Sequence, residues 1–271
     1  MMKVWLYLLS FIVVLFGVGS ASAYADVDCS SISNPPTVFF VNGMRTDKAS
    51  AEKTRRKLEE TYLSFVNSLP NQSYVADEMR CVRFQAAHNQ KEDAWLELLE
   101  VFLQSVPDDT TTFWQWIDMA AGISVPEWFR EAQLNVTKTI STAFAYIVDE
   151  DLQQHVENYA GTLGRRLVVA HSQGNFYATE ANLLLPSSLR VPVFAVATPE
   201  SVDSYRGYLT YGSDEVINAI RNITGALPAN AEGICGADDW SCHGMRETYL
   251  ETSGQDIGRA IYEALSPVFP L

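Results

Sequence analysis

The run Leu167-Val168-Val169-Ala170-His171-Ser172-Gln173-Gly174-Asn175 decides how this 271-residue chain is read. An apolar, β-branched segment stops at a serine set between Ala170 and Gly174, and a stretch rich in Ala and Leu follows at once. A strand that turns directly into a helix and lifts a hydroxyl at the apex has this sequence, that of a nucleophile elbow. The small residues at Ala170 and Gly174 have a steric reason, because strand and helix cross there too closely for a larger side chain. Glycine also adopts backbone conformations that strain other residues. A small-x-Ser-x-Gly match also arises by chance, so its weight comes from what flanks it.

Outward from the elbow, strand and helix signals alternate. Arg166 to Ala170 reads as a strand and Gly174 to Leu185 as a helix. Upstream, Thr37-Val38-Phe39-Phe40-Val41 is the first strong strand and ends at Asn42-Gly43-Met44. A helix follows from about Lys48 to Leu69, with Leu58, Tyr62, Phe65 and Leu69 at helical spacing and Lys and Glu filling the other face. Cys81 to Ala86 reads as a second strand. Downstream come a strand over Val191 to Val196, another over Tyr208 to Tyr211, and a final helix over Gln255 to Leu265. That helix puts Ile257, Ala260, Ile261 and Leu265 on one face. Such alternation implies an α/β fold, a mostly parallel sheet flanked by helices on both faces.

One block breaks the rhythm. Roughly seventy residues, about 91–164, read as almost wholly helical and are far longer than a usual crossover. The last part, Glu150 to Leu163, stops at Gly164. The block carries Phe113, Trp114, Trp116, Trp128 and Phe129. These aromatics either wall an acyl-binding site beneath a cap-like insertion or form the core of the inserted helices.

The chain opens with Met1-Met2-Lys3, an apolar run from Val4 to Val18, and Gly19-Ser20-Ala21-Ser22-Ala23. A basic start, a short apolar run and a small-residue exit describe a secretory signal peptide over residues 1–23. The run is short of the about 20 apolar residues that a membrane span needs, and an uncleaved anchor is the alternative. Residues 24–271 then form one domain. The formal net charge is −14, a surface that repels phosphate backbones and argues against nucleic-acid binding. Four cysteines suit an oxidising compartment. Cys235 and Cys242 enclose a short loop, and Cys29 and Cys81 each precede a strand, so two disulfides are expected among three open pairings. Their spacing does not match a zinc motif. The expectation is a secreted or periplasmic protein without metal or cofactor, meeting membrane only through its transient signal peptide or its substrate.

A serine hydroxyl needs a base, and the chain offers His88, His155, His171 and His243. His171 adjoins Ser172 on an extended strand end, so its side chain should point elsewhere. His88 follows the second strand, and His155 sits in a helix where a solvent-facing position is expected. His243, in a loop near the C terminus, is the base by elimination and position. The imidazole needs a carboxylate in turn, and Asp214 follows a strand end in Tyr211-Gly212-Ser213-Asp214. The same aspartate could instead cap a helix over Val216 to Arg221. Glu200 and Asp203 are its rivals, whereas Asp238 and Asp239 lie too close to His243 in sequence. Two backbone N–H groups, from Gln173 and from Met44 after Asn42-Gly43, would form an oxyanion hole.

With these residues the chain resembles an α/β-hydrolase of the serine esterase or lipase type, whose chain order is that of Ser172, Asp214 and His243. The resemblance runs from Thr37 onward, and the helical block loosely occupies the family's cap position. Ala170 stands where the family's elbow usually has glycine, and Asn42 where a histidine is usual. The resemblance implies hydrolysis of a small-molecule or lipid ester through an acyl-enzyme. An acyltransferase or thioesterase with the same triad, or a non-catalytic binding module on the same fold, are the alternatives.

Overall fold

The computed structural model describes residues 27–43, 46–70, 75–89, 150–200, 205–214, 216–218, 226–236, 239 and 241–267. The expected signal peptide, Met44, Asp203 and the five aromatics of the helical block lie outside the described residues.

Strand β1 (Thr37–Val41) is buried along its whole length, which is what a strand covered on both faces requires. Its side chains divide by alternation. Val38 and Phe40 join one apolar cluster, and Phe39 and Val41 join another. The first cluster is completed by Leu58, Tyr62, Phe65 and Val66 of α1 (Lys48–Ser68) and by Ile257, Ile261 and Leu265 of the C-terminal helix Gly254–Leu265. The second is completed by Tyr159 from the helix over 150–161 and by Tyr177, Ala178 and Ala181 from the helix Gly174–Leu184. Helices therefore cover both faces of the sheet. Each large apolar side chain so buried contributes about 1.5–3 kcal/mol, which outweighs the weak intrinsic preference of any one segment.

In chain order the remaining elements are α2 (Asp77–Arg80), β2 (Arg83–Ala87), α3 (150–161), β3 (Arg166–His171), α4 (Gly174–Leu184), β4 (Val193–Val196), β5 (Gly207–Leu209) and α5 (Gly254–Leu265). The five strands are all parallel, in the order β2-β1-β3-β4-β5. From β1 the chain moves outward to β2. From β3 it moves the opposite way, to β4 and β5. The direction of winding thus reverses between β1 and β3, and in open parallel sheets the crevice beyond the strand C termini at such a point is where ligands bind. Asn42-Gly43 leaves β1 there, and Ser172 leaves β3 there.

The elements keep the expected order, with boundaries set by particular contacts. Asp47 starts α1 by accepting the Ser50 amide at 2.7 Å, and Pro70 follows its C-cap Leu69. β4 begins at Val193 rather than Val191, because Pro192 has no N–H and the Asn182 side chain binds both the amide and the carbonyl of Val191, each at 2.8 Å. β5 stops at Leu209 rather than Tyr211. Asn230 takes over its edge, accepting from the Thr210 amide at 2.8 Å and donating to the Tyr208 carbonyl at 2.7 Å. Tyr211 keeps only an isolated bridge to Ala231. α3 ends at residue 161, three short of the glycine expected to stop it.

Both expected disulfides form, Cys29–Cys81 and Cys235–Cys242. The first joins the approaches to β1 and β2, neighbours in the sheet. Two disulfides fit residence in an oxidising compartment. Among the described residues no helix is long and apolar enough to cross a membrane.

Gly174, at the start of α4, sits where a Cβ would lie 2.5 Å from the Val41 carbonyl oxygen and 2.7 Å from that of Asn42. Backbone cannot yield as a flexible side chain does, so Gly174→Ala must push α4 off β1. Overpacking of this kind costs about 1–3 kcal/mol. A urea midpoint equal to that of the parent would contradict the close crossing.

Candidate active site

The chain passes from β3 to α4 through Ser172 and the N-cap Gln173, and Ser172 does so with φ +55. A side chain in this left-handed region costs about 1–3 kcal/mol unless its surroundings enforce it. Here they do. The Ser172 amide donates to the Val196 carbonyl of β4 at 3.1 Å, and the Ser172 carbonyl accepts the Asn175 amide at 3.0 Å. The Asn175 side chain, fully buried, donates its Nδ2 to Ser172 O at 2.9 Å and to Val196 O at 3.2 Å. Gly43 closes the other side. A Cβ there would stand 2.7 Å from Ser172 Cβ and 2.9 Å from His171 Nδ1, so the turn after β1 lies directly against the serine.

Seventy-one residues further on, His243 reaches the same point. Its Nε2 is 2.8 Å from Ser172 Oγ, and its Nδ1 is 3.0 Å from Asp214 Oδ1 and 2.9 Å from Oδ2. An ionised carboxylate only accepts, so Nδ1 carries the proton and Nε2 is left to accept from the serine hydroxyl. The Asp214 side chain is wholly buried, while that of His243 is 14% exposed. Asp214 also caps the helical turn at 216–218, because Oδ1 accepts the Ile217 amide at 2.9 Å. One carboxylate thus both caps this turn and meets the His243 ring.

Tyr249 completes the carboxylate's surroundings. Its hydroxyl donates to Asp214 Oδ2 at 2.8 Å and accepts the Tyr211 amide at 3.1 Å. The two tyrosine rings stack, with centroids 4.2 Å apart. Tyr211 is anchored in turn by hydroxyl contacts of 2.6 Å to both Thr252 and Ser253. Burial, reinforced by the Asp214 charge, pushes the Tyr249 phenol above its ordinary range, so it stays a donor.

His243 stands on a loop that is tied at several points. Cys242, its neighbour, is bound to Cys235. Asp239 accepts from the Thr248 hydroxyl at 2.7 Å, from the Ser241 hydroxyl at 2.7 Å and from the Gly244 amide. Burial alone would raise its pKa, yet these hydrogen bonds outweigh it and hold the carboxyl below its ordinary value. Asp239 thus organises the loop that carries His243. A single wide π turn, Met245–Tyr249, follows, and such turns are frequent at functional sites.

The other candidates fall elsewhere. His88 Nε2 lies 2.9 Å from the Thr46 carbonyl. His155 is 1% exposed rather than solvent-facing. Leu152, His155 and Tyr159 recur at helical spacing, and that signal places the imidazole on the buried face of α3. Its Nε2 meets Asn89 Oδ1 at 2.6 Å, while Asn89 donates its Nδ2 to Asn42 O at 2.9 Å. Glu200 is buried, and Thr179 at 2.9 Å and Tyr205 donate to its carboxylate rather than His243. Gln173 lies at the N-cap of α4, immediately after Ser172. The expected second oxyanion donor, Met44, lies outside the described residues. Sequence reasoning did not find Tyr249, Asn175 or the contact of His171 Nε2 with the His243 carbonyl at 2.7 Å.

Burial sets how stability follows pH. It lowers His155 to about 4 and His171 to about 3, the latter helped by the neighbouring His243, whereas it raises Glu200 to about 7. Between a lowered folded pKa and the ordinary 6.5 the unfolded chain binds more protons. The two histidines therefore stabilise the fold fully above about 6.5, and this is lost as pH falls through about 4 for His155 and about 3 for His171. Glu200 acts oppositely, favouring the fold below its ordinary 4.5 and losing that contribution as pH rises to about 7. Glu200→Gln should therefore raise the melting temperature near neutral pH relative to wild type and leave the acid loss in place. Parallel melting curves for the two proteins across about pH 5–7 would rule this out. Comparison with protein-family models and with the sequences of curated proteins finds no match.

Proposed function

We propose that this protein is an exported serine hydrolase that cleaves carboxylic esters on an α/β-hydrolase-type scaffold. The observation that carries the reading is the line from Ser172 Oγ to His243 Nε2 at 2.8 Å and from His243 Nδ1 to Asp214 Oδ2 at 2.9 Å. The place of Ser172 at the reversal point of a parallel sheet, and the chain order Ser172, Asp214, His243, support the scaffold.

The chemistry follows from the donors and acceptors. His243 Nε2 takes the hydroxyl proton as Ser172 Oγ attacks the acyl carbon. Positive charge then develops on the imidazole, where buried Asp214 stabilises it at contact distance. Negative charge develops on the former carbonyl oxygen, for which the amide of Gln173, next to Ser172 at the N-cap of α4, is the donor within the described residues. His243 returns its proton to the leaving alcohol, and an acyl-Ser172 ester remains. Water, deprotonated by the same ring, releases the acid and restores the serine. An ester of a small molecule or a lipid is the substrate class.

A fluorophosphonate probe should label the mature protein, and Ser172→Ala should abolish the label and lower nitrophenyl ester hydrolysis by at least about 10⁴-fold while keeping the fold. A folded wild type that takes no label would instead favour a binding module. Rates across increasing acyl length would separate lipid from small-ester substrates.

The disulfides divide their effects. On chain-entropy grounds the bridge with a sequence separation of 7 stabilises by about 2.5 kcal/mol, against about 4 kcal/mol for the separation of 52. Cys235→Ser/Cys242→Ser should cost turnover more than stability, because it frees the loop that carries His243. Turnover equal to that of wild type would remove the idea.

A further inference from the structure

We propose that His171 is a positioning residue for the base: its ring N–H holds the main-chain carbonyl of His243 and so fixes where that imidazole stands over Ser172. The inference rests on the reading of Ser172 and His243 as nucleophile and base. His171 Nε2 lies 2.7 Å from His243 O, and a carbonyl oxygen only accepts, so Nε2 bears the hydrogen. The residue is buried, and its ring lies 4.9 Å from that of His243 and 6.2 Å from that of Tyr249.

Two consecutive residues therefore grip one histidine from two sides. Ser172 meets its ring, and His171 meets its backbone. The grip matters because His243 belongs to neither strand nor helix, and its carbonyl lies outside the turn that follows. That turn sends the Thr248 and Tyr249 amides to Gly244 O, at 2.9 and 3.2 Å, one residue beyond. His171 supplies the tie the turn does not. It is the last residue of β3, whose register with β4 pairs it with Val196, so it is among the most fixed positions available. The base is thus referenced to the same strand that carries the nucleophile, and a shift of the loop relative to the sheet is resisted where it would separate Nε2 from Oγ.

An alternative is that the ring only fills space. Substitution separates the two. Phenylalanine keeps an aromatic volume and loses the donor. Glutamine places an amide N–H at the reach of histidine Nε2, whereas asparagine reaches only as far as Nδ1. Misplacing a catalytic group by about 1 Å costs roughly 10²-fold, so His171→Phe should slow fluorophosphonate labelling and kcat by roughly 10–100-fold, with KM within about threefold. His171→Gln should recover most of the rate and His171→Asn should not. A wild type that labels while His171→Phe labels equally fast overturns the inference and leaves the hydrolase reading intact. A folded wild type that does not label sinks the hydrolase reading first. Should the Phe variant not fold, the Gln and Asn variants decide: rates equal to each other overturn the proposal, and a faster Gln variant sustains it.

Discussion

The rest of the site depends on a backbone reversal at one residue. The chain must leave a buried parallel strand and start a helix within two residues, and Ser172 makes the turn at φ +55. The about 1–3 kcal/mol that such a conformation costs is offset by three hydrogen bonds made by its backbone, each worth about 1 kcal/mol net. Two are with main chain, to Val196 and from Asn175, and one comes from the Asn175 side chain, whose Nδ2 also ties Val196 O. The strain is therefore held in place by β4 on one side and by the first turn of α4 on the other. A side chain presented on such a corner cannot relax away from its partner without breaking buried polar contacts.

Electrostatics distributes over the same frame. Asp214 is fully buried, and a polar group away from water needs hydrogen-bond partners. It has three: the His243 ring, the Tyr249 hydroxyl and the Ile217 amide. These come from a loop, a π turn and a helical turn, so the acid is also a joint that gathers the C-terminal segments beneath the sheet's edge. The histidines divide by environment. His243 keeps part of its ring in reach of solvent, whereas His155 and His171 are enclosed and held neutral by burial. Neutral imidazoles serve here as directional donors to Asn89 and to the His243 carbonyl rather than as charges.

Much of the architecture was legible from sequence because parallel strands buried on both faces are written as continuous apolar runs, and the helices beside them as apolar stripes. Thr37–Val41, Arg166–His171 and the stripe Leu58, Tyr62, Phe65 need no tertiary information. The serine, aspartate and histidine were picked out for a different reason: Ser172 and Asp214 follow strand ends, and elimination among four histidines pointed to His243. The two disulfides followed from loop length and from neighbouring strands. What stayed hidden lies in side chains whose partners are distant in sequence. His171 next to Ser172 says nothing of a carbonyl 72 residues away, and Tyr249 reads as an ordinary helical aromatic until Asp214 is beneath it. His155 could have been placed by its spacing from Leu152 and Tyr159, but its polarity argued for solvent.

The sequence by itself determined an α/β protein with a strand–serine–helix corner, because apolar periodicity acts locally. Only the tertiary structure decided that His243, rather than any other imidazole, meets Ser172, and that Asp214 is at once a helix cap and its partner. The reason is physical: contact between residues far apart in the chain depends on how loops are tied, and those ties at Cys235, Asp239, His171 and Tyr249 exist only once the sheet has brought them within hydrogen-bond reach.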